Sequence, residues 1–105
     1  MKFAIVVVAA LAALGPLGSV HGADAPALLD KYKCYICHAD GEAKAGPAFA
    51  EVAKAYRGNR NAESSVVTII KKGAHGGGPW RMPPHPEVSD AEAKTMARYI
   101  LSLKP

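Results

Sequence analysis

Between residues 25 and 103 the apolar positions recur at helical spacing, and no run alternates for long enough to predict a strand. A first helix is predicted over 25–36, with Asp24 as N-cap and Pro26 in the first turn. Leu28, Leu29, Tyr32 and Ile36 lie along one side of it. A second is predicted over 48–56, where Phe49, Val52, Ala53 and Tyr56 share a face and Gly58 follows as a stop. The third covers 62–72 behind Asn61 as N-cap, with Val66, Val67, Ile69 and Ile70 apolar and Lys71-Lys72-Gly73 as its ending. The fourth opens with the capping box Ser89-Asp90-Ala91-Glu92 and runs to about 103, burying Ala93, Met96, Ala97, Ile100 and Leu101. The expected class is all-α, with about four short helices.

Two stretches break this pattern. Residues 74–86, AHGGGPWRMPPHP, combine three consecutive glycines with four prolines, which suits neither helix nor strand. A segment of that length without regular structure is either disordered or functional. At the other end, Lys2 precedes an apolar run over 3–14, Gly15-Pro16 breaks it, and Val20-His21-Gly22 follows. That is the layout of a cleaved signal peptide over 1–22. The run is shorter than the roughly 20 residues a bilayer core requires, which argues against a retained anchor and stable membrane insertion. Export to the periplasm is the expectation, with 23–105 as one small domain.

A domain this small has a marginal core, and natural chains of this size often add disulfides, a metal or a cofactor. Only Cys34 and Cys37 are present, so a disulfide framework is excluded. The helices leave space for an apolar body that is not protein. The net charge of +4 includes Lys2, and the remaining basic residues are scattered among acids. No basic run interleaves with aromatics, so nucleic acid is not an expected partner. A modest attraction to acidic proteins is consistent with the excess.

The chemistry concentrates in Cys34-Tyr35-Ile36-Cys37-His38. A thioredoxin-like pair would follow a strand, and none is predicted before Cys34. A structural zinc site needs four protein ligands, and a second C-x-x-C is lacking. The remaining reading is covalent attachment of one haem c, the usual meaning of C-x-x-C-H in an exported chain. Thiols three residues apart on one helical turn reach two vinyl groups, and His38 then presents its imidazole to the iron. The porphyrin supplies the apolar body that the core lacks.

For the other face of the iron the candidates are Met82, Met96, His75 and His85. Met96 lies on the buried stripe of the fourth helix and reads as packing. His75 and His85 flank the loop and read as surface residues. Met82 is a large apolar residue in a polar loop, stiffened by Pro83 and Pro84, and is the expected axial ligand. His/Met ligation raises the reduction potential and leaves no open position for a substrate.

These residues resemble the small single-haem class I cytochromes c of bacterial electron-transfer chains. The resemblance covers residues 23–105 and rests on five features in order. They are Cys34-Tyr35-Ile36-Cys37-His38, Gly46-Pro47-Ala48-Phe49, Lys72-Gly73, Met82-Pro83-Pro84 and the final SDAEAKTMARYILSL. It implies a cytochrome c fold wrapped around the haem, with the first and last helices crossing where Leu28 or Leu29 meets Tyr99 or Ile100. It also implies that the Pro47 carbonyl accepts a hydrogen bond from His38, fixing its tautomer. Relatives often carry a tryptophan and an arginine facing a propionate where this chain has Gly77 and Ile69. Trp80 or Arg81 is expected to substitute for them.

The expected function is that of a periplasmic one-electron carrier, a monomer that docks transiently on redox partners and is not an enzyme. The alternative is a tightly bound cytochrome subunit of a periplasmic dehydrogenase. A gas sensor or peroxidase would need an open sixth position, and a redox-active disulfide protein would carry no haem.

Overall fold

The computed structural model describes Ala4, residues 24–75 and residues 79–104. The leader expected over 1–22, apart from Ala4, lies outside the described residues, as does Gly77. Four α-helices form in chain order: α1 Ala25–Lys31, α2 Phe49–Ala55, α3 Ala62–Lys72 and α4 Asp90–Ser102. No helix among the described residues is long and apolar enough to cross a membrane.

α4 is the hub, and α1, α2 and α3 all pack against it. Its i, i+3, i+4 stripe of Ala93, Met96, Ala97 and Ile100 meets Leu29 of α1, Phe49 of α2, and Val66 and Ile70 of α3. Leu29, Met96 and Val88 are the largest fully buried side chains. Each contributes about 1.5–3 kcal/mol relative to an exposed position. The end helices are paired as the resemblance implies, with Leu29 and Ile100 in one cluster and Leu28 and Tyr99 at its edge.

Among the predicted N-caps only Ser89 works through its side chain. Its Oγ accepts the Glu92 N–H at 3.1 Å while Glu92 Oε1 accepts the Ser89 N–H at 3.4 Å, completing the capping box. Glu92 Oε1 also accepts the Tyr32 hydroxyl at 2.8 Å, joining the start of α4 to the end of α1. Asp24 and Asn61 stand at their cap positions without a side-chain bond to the helix. α2 follows Ala48, which has no capping side chain. Its first N–H groups are satisfied instead by backbone: Phe49 N–H donates to the Ala39 carbonyl and Ala50 N–H to the Asp40 carbonyl, both at 2.9 Å.

Two elements differ from the sequence expectation. The first helix does not continue to residue 36, because Lys33 adopts φ 63°, a left-handed conformation that a right-handed helix cannot pass through. Cys34–Ile36 then forms a separate 3₁₀ turn. Tyr32 still packs on the core, but Ile36, predicted on the same stripe, is 66% exposed. The second difference lies in the loop. Ala74–His75 (β1) and Arg81–Met82 (β2) pair antiparallel, with Ala74 opposite Met82 and His75 opposite Arg81. Two-residue strands are too short for an alternating pattern to announce them.

Candidate functional site

Cys34, Cys37, His38 and Met82 come from the 3₁₀ turn, the loop after it, and β2, and all four line one cavity of about 620 Å³. That lies within the range of small-molecule and cofactor sites, roughly 300–1,000 Å³. Its walls include Leu29, Phe49, Val52, Val66, Ile70 and Ile100. Five of these, Leu29, Phe49, Val66, Ile70 and Ile100, also belong to the buried core, so the cavity is an extension of the hydrophobic interior.

Three contacts set His38. Its Nδ1 lies 2.7 Å from the Pro47 carbonyl oxygen. A carbonyl only accepts, so Nδ1 carries the proton and Nε2 keeps its lone pair. The ring stacks on Phe49 with centroids 4.8 Å apart and planes at 19°. Gly46 covers the ring from the backbone side: a Cβ there would lie 2.8 Å from Nδ1 and 2.9 Å from Nε2, so only glycine fits. The loop is closed by the Gly46 N–H donating to the Cys37 carbonyl at 2.6 Å and by a bridge between His38 and Ala43.

Met82 reaches the cavity from β2. Gly73 ends α3 with φ 80°, a conformation that favours glycine. A Cβ at Gly73 would collide with the Met82 carbonyl and lie 3.0 Å from the Pro84 nitrogen. His85 N–H then donates to the Ile70 carbonyl at 3.1 Å, so the loop is clamped on both sides of Met82. The thiols are unpaired, Cys34 half-buried and Cys37 exposed. Burial pushes the Cys34 thiol above its ordinary range.

The donor set matches a covalently held haem: two thiols, one imidazole with a free nitrogen and one thioether around an apolar space. The cradle that Gly46 leaves for the His38 ring fits the same group. The Cytochrome c family matches residues 23–104. The chain belongs to the cytochrome c family. Cytochrome c-552 of Hydrogenobacter thermophilus is 47% identical over 73 residues, covering 68% of this chain and 72% of that protein. Cytochrome c-551 of Pseudomonas aeruginosa is 43% identical over 84 residues, covering 78% and 80%. The crystal structure of Nitrosomonas europaea cytochrome c552 superposes with a TM-score of 0.72 at 38% identity, covering 75% of this chain and 99% of that one. This cytochrome c is thus of the small class I monohaem type, with covalently bound haem c, and it transfers electrons to and from redox partners and is not an enzyme.

The other candidates separate cleanly. Met96 is fully buried in the core and does not line the cavity of this cytochrome c. His75 is exposed at the rim, as expected. His85 is not the surface residue predicted: it is half-buried and lines the cavity, and its Nδ1 is buried without a hydrogen-bond partner. Trp80 and Arg81 are the residues expected at a propionate. Arg81 alternates with Met82 along β2, so it lies outward where Met82 lies inward, and Trp80 is 70% exposed. Both stand at the rim of the cavity, where that expectation requires them. Sequence reasoning missed the Phe49 ring against His38 and the two tyrosine hydroxyls, Tyr35 and Tyr99, on the Asp40 carboxylate. The first was inside a quoted motif; the second had no local signal.

Proposed function

We propose that Cys34 and Cys37 attach the haem through thioether bonds, that His38 and Met82 are its axial ligands, and that the holoprotein is a periplasmic carrier of single electrons. The convergence of these four side chains on one apolar cavity supports the reading. The haem, when bound, supplies an iron that cycles between Fe(III) and Fe(II). The chain does the rest. The Pro47 carbonyl holds the His38 proton on Nδ1 so that Nε2 faces the ligand position. The clamp from Gly73 to His85 holds Met82 at the cavity wall, where its thioether would serve as the second ligand, and the apolar walls would exclude water. With His38 and Met82 both as ligands, the iron would keep no open position for a substrate.

Ile36 and Trp80, the exposed large apolar residues among those described, stand at the cavity rim with Lys33 and Arg81. An aromatic anchor with cations beside it suits a transient contact with a redox protein whose own apolar patch is edged by carboxylates. The carrier works as a monomer. Export follows from the leader read in the sequence.

Met82→Ala tests the ligand assignment. The ferric holoprotein is expected to lose its weak sulfur-to-iron charge-transfer band, and its reduction potential is expected to fall. An unchanged band in Met82→Ala would overturn the assignment.

A further inference from the structure

Asp40 joins two elements, the 3₁₀ turn and α4, at one carboxylate. Tyr35 hydroxyl donates to its Oδ1 at 3.0 Å, and Tyr99 hydroxyl of α4 donates to its Oδ2 at 2.5 Å. Tyr35 sits between the two thiols, and Tyr99 lies 59 residues away in sequence. The backbone of the same residue caps α2, and the neighbouring Ala39 carbonyl holds the N–H of Phe49, whose ring stacks on His38. Tyr35 also packs edge-on against Phe49, with centroids 5.9 Å apart. The ring that seats His38 is therefore tied to the loop that carries Asp40.

The charge of this carboxylate is handled unusually. The ion pairs among the described residues are Lys31–Glu92, Lys71–Asp90 and Arg98–Glu63, and none involves Asp40. Lys44, the cation near this cluster, donates to the Tyr35 carbonyl at 2.6 Å instead. Two neutral phenols spread the negative charge without cancelling it, and a half-buried charge is screened less than one in water. Both phenols are pushed above the ordinary tyrosine range, Tyr35 by burial and then by Asp40, Tyr99 first by its bond to Asp40. They remain donors throughout the neutral range.

We propose that Asp40 is a positioning residue for His38 whose uncompensated carboxylate, held by Tyr35 and Tyr99, favours the oxidised state of the centre. The proposal rests on His38 being an axial ligand. Ferric haem carries one more positive charge than ferrous haem, so a fixed anion beside the ligand loop lowers the reduction potential. The phenols work in the opposite sense, because each hydrogen bond draws charge away from the carboxylate.

The holoprotein, as wild type, Asp40→Asn, Tyr35→Phe and Tyr99→Phe, tests this at pH 7. Midpoint potential, melting temperature and the ferric spectrum are measured on each. Melting temperature falls in all three variants. The potential rises in Asp40→Asn and falls in each phenylalanine variant. A potential unchanged or lowered in Asp40→Asn would overturn the proposal, as would shifts of one sign in all three, which loosening of His38 alone would produce. If Asp40→Asn does not accumulate as holoprotein, the sign of the shift in Tyr99→Phe decides. The wild-type charge-transfer band reports separately on the axial ligands, so a failed ligand assignment is not confused with a failed role for Asp40.

Discussion

The packing around Met96 and the wall around His38 are built from similar residues and held in different ways. Met96 is fully buried in a cluster of apolar side chains drawn from all four helices. His38 faces a cavity and is fixed largely by backbone: the Pro47 carbonyl, the bare Cα of Gly46, and the carbonyls of residues 39 and 40 that hold the start of α2 and so the Phe49 ring against it. The first region is a core in which volume decides stability. The second is a mould in which hydrogen bonds and absent side chains decide direction, and its missing volume belongs to the haem. Substitutions in the two regions should therefore register in different measurements.

Met96→Ala should have the largest effect on stability, a loss of about 2–5 kcal/mol by denaturant unfolding, with the sulfur-to-iron band retained. Disappearance of that band in Met96→Ala would erase the distinction between the regions and make Met96 the ligand. Gly46→Ala should behave in the opposite way. Its new methyl group meets the His38 ring, so the ferric spectrum and potential should change while stability falls by a smaller amount, about 1–3 kcal/mol. A spectrum indistinguishable from wild type would mean that the ring is not held where the backbone puts it.

The smallest expected effect lies on the packed side, at the junction of α1 and α4. The Tyr32 hydroxyl, and then Ser89, hold the Glu92 carboxyl below the ordinary carboxylate range. The unfolded chain therefore binds more protons there, so this contribution is present above the ordinary carboxylate pKa and is lost as pH falls below about 5. Tyr32→Phe should flatten that acid limb in a series of thermal melts, while the haem spectrum stays constant. A limb as steep as the wild type's would remove Tyr32 from the account.

The legible parts of the sequence were those written in one stretch. α3 begins and ends where the apolar period and the Lys71-Lys72-Gly73 ending predict. The capping box placed α4, and the C-x-x-C-H spacing with the isolated Met82 picked out the four side chains that share the cavity. The break after α1 was not legible, because its left-handed residue is a lysine and the apolar spacing runs on past it. The pairing of β1 with β2 left no periodic trace. Asp40 was invisible for another reason: its partners are a tyrosine five residues before it and another 59 residues after it, and only the folded chain brings them together.

The missing cap on α2 has a consequence for how the molecule opens. Because the first N–H groups of this helix end on the carbonyls of Ala39 and Asp40, the helix start and the histidine loop share their bonds. Neither can come apart alone. The amides of Phe49 and Ala50 should exchange with solvent hydrogen in the same opening event as that of Gly46, which donates to Cys37 across the base of the loop. A helix of seven residues, too short to persist by itself, thereby becomes part of the same cooperative unit as the seat of the histidine.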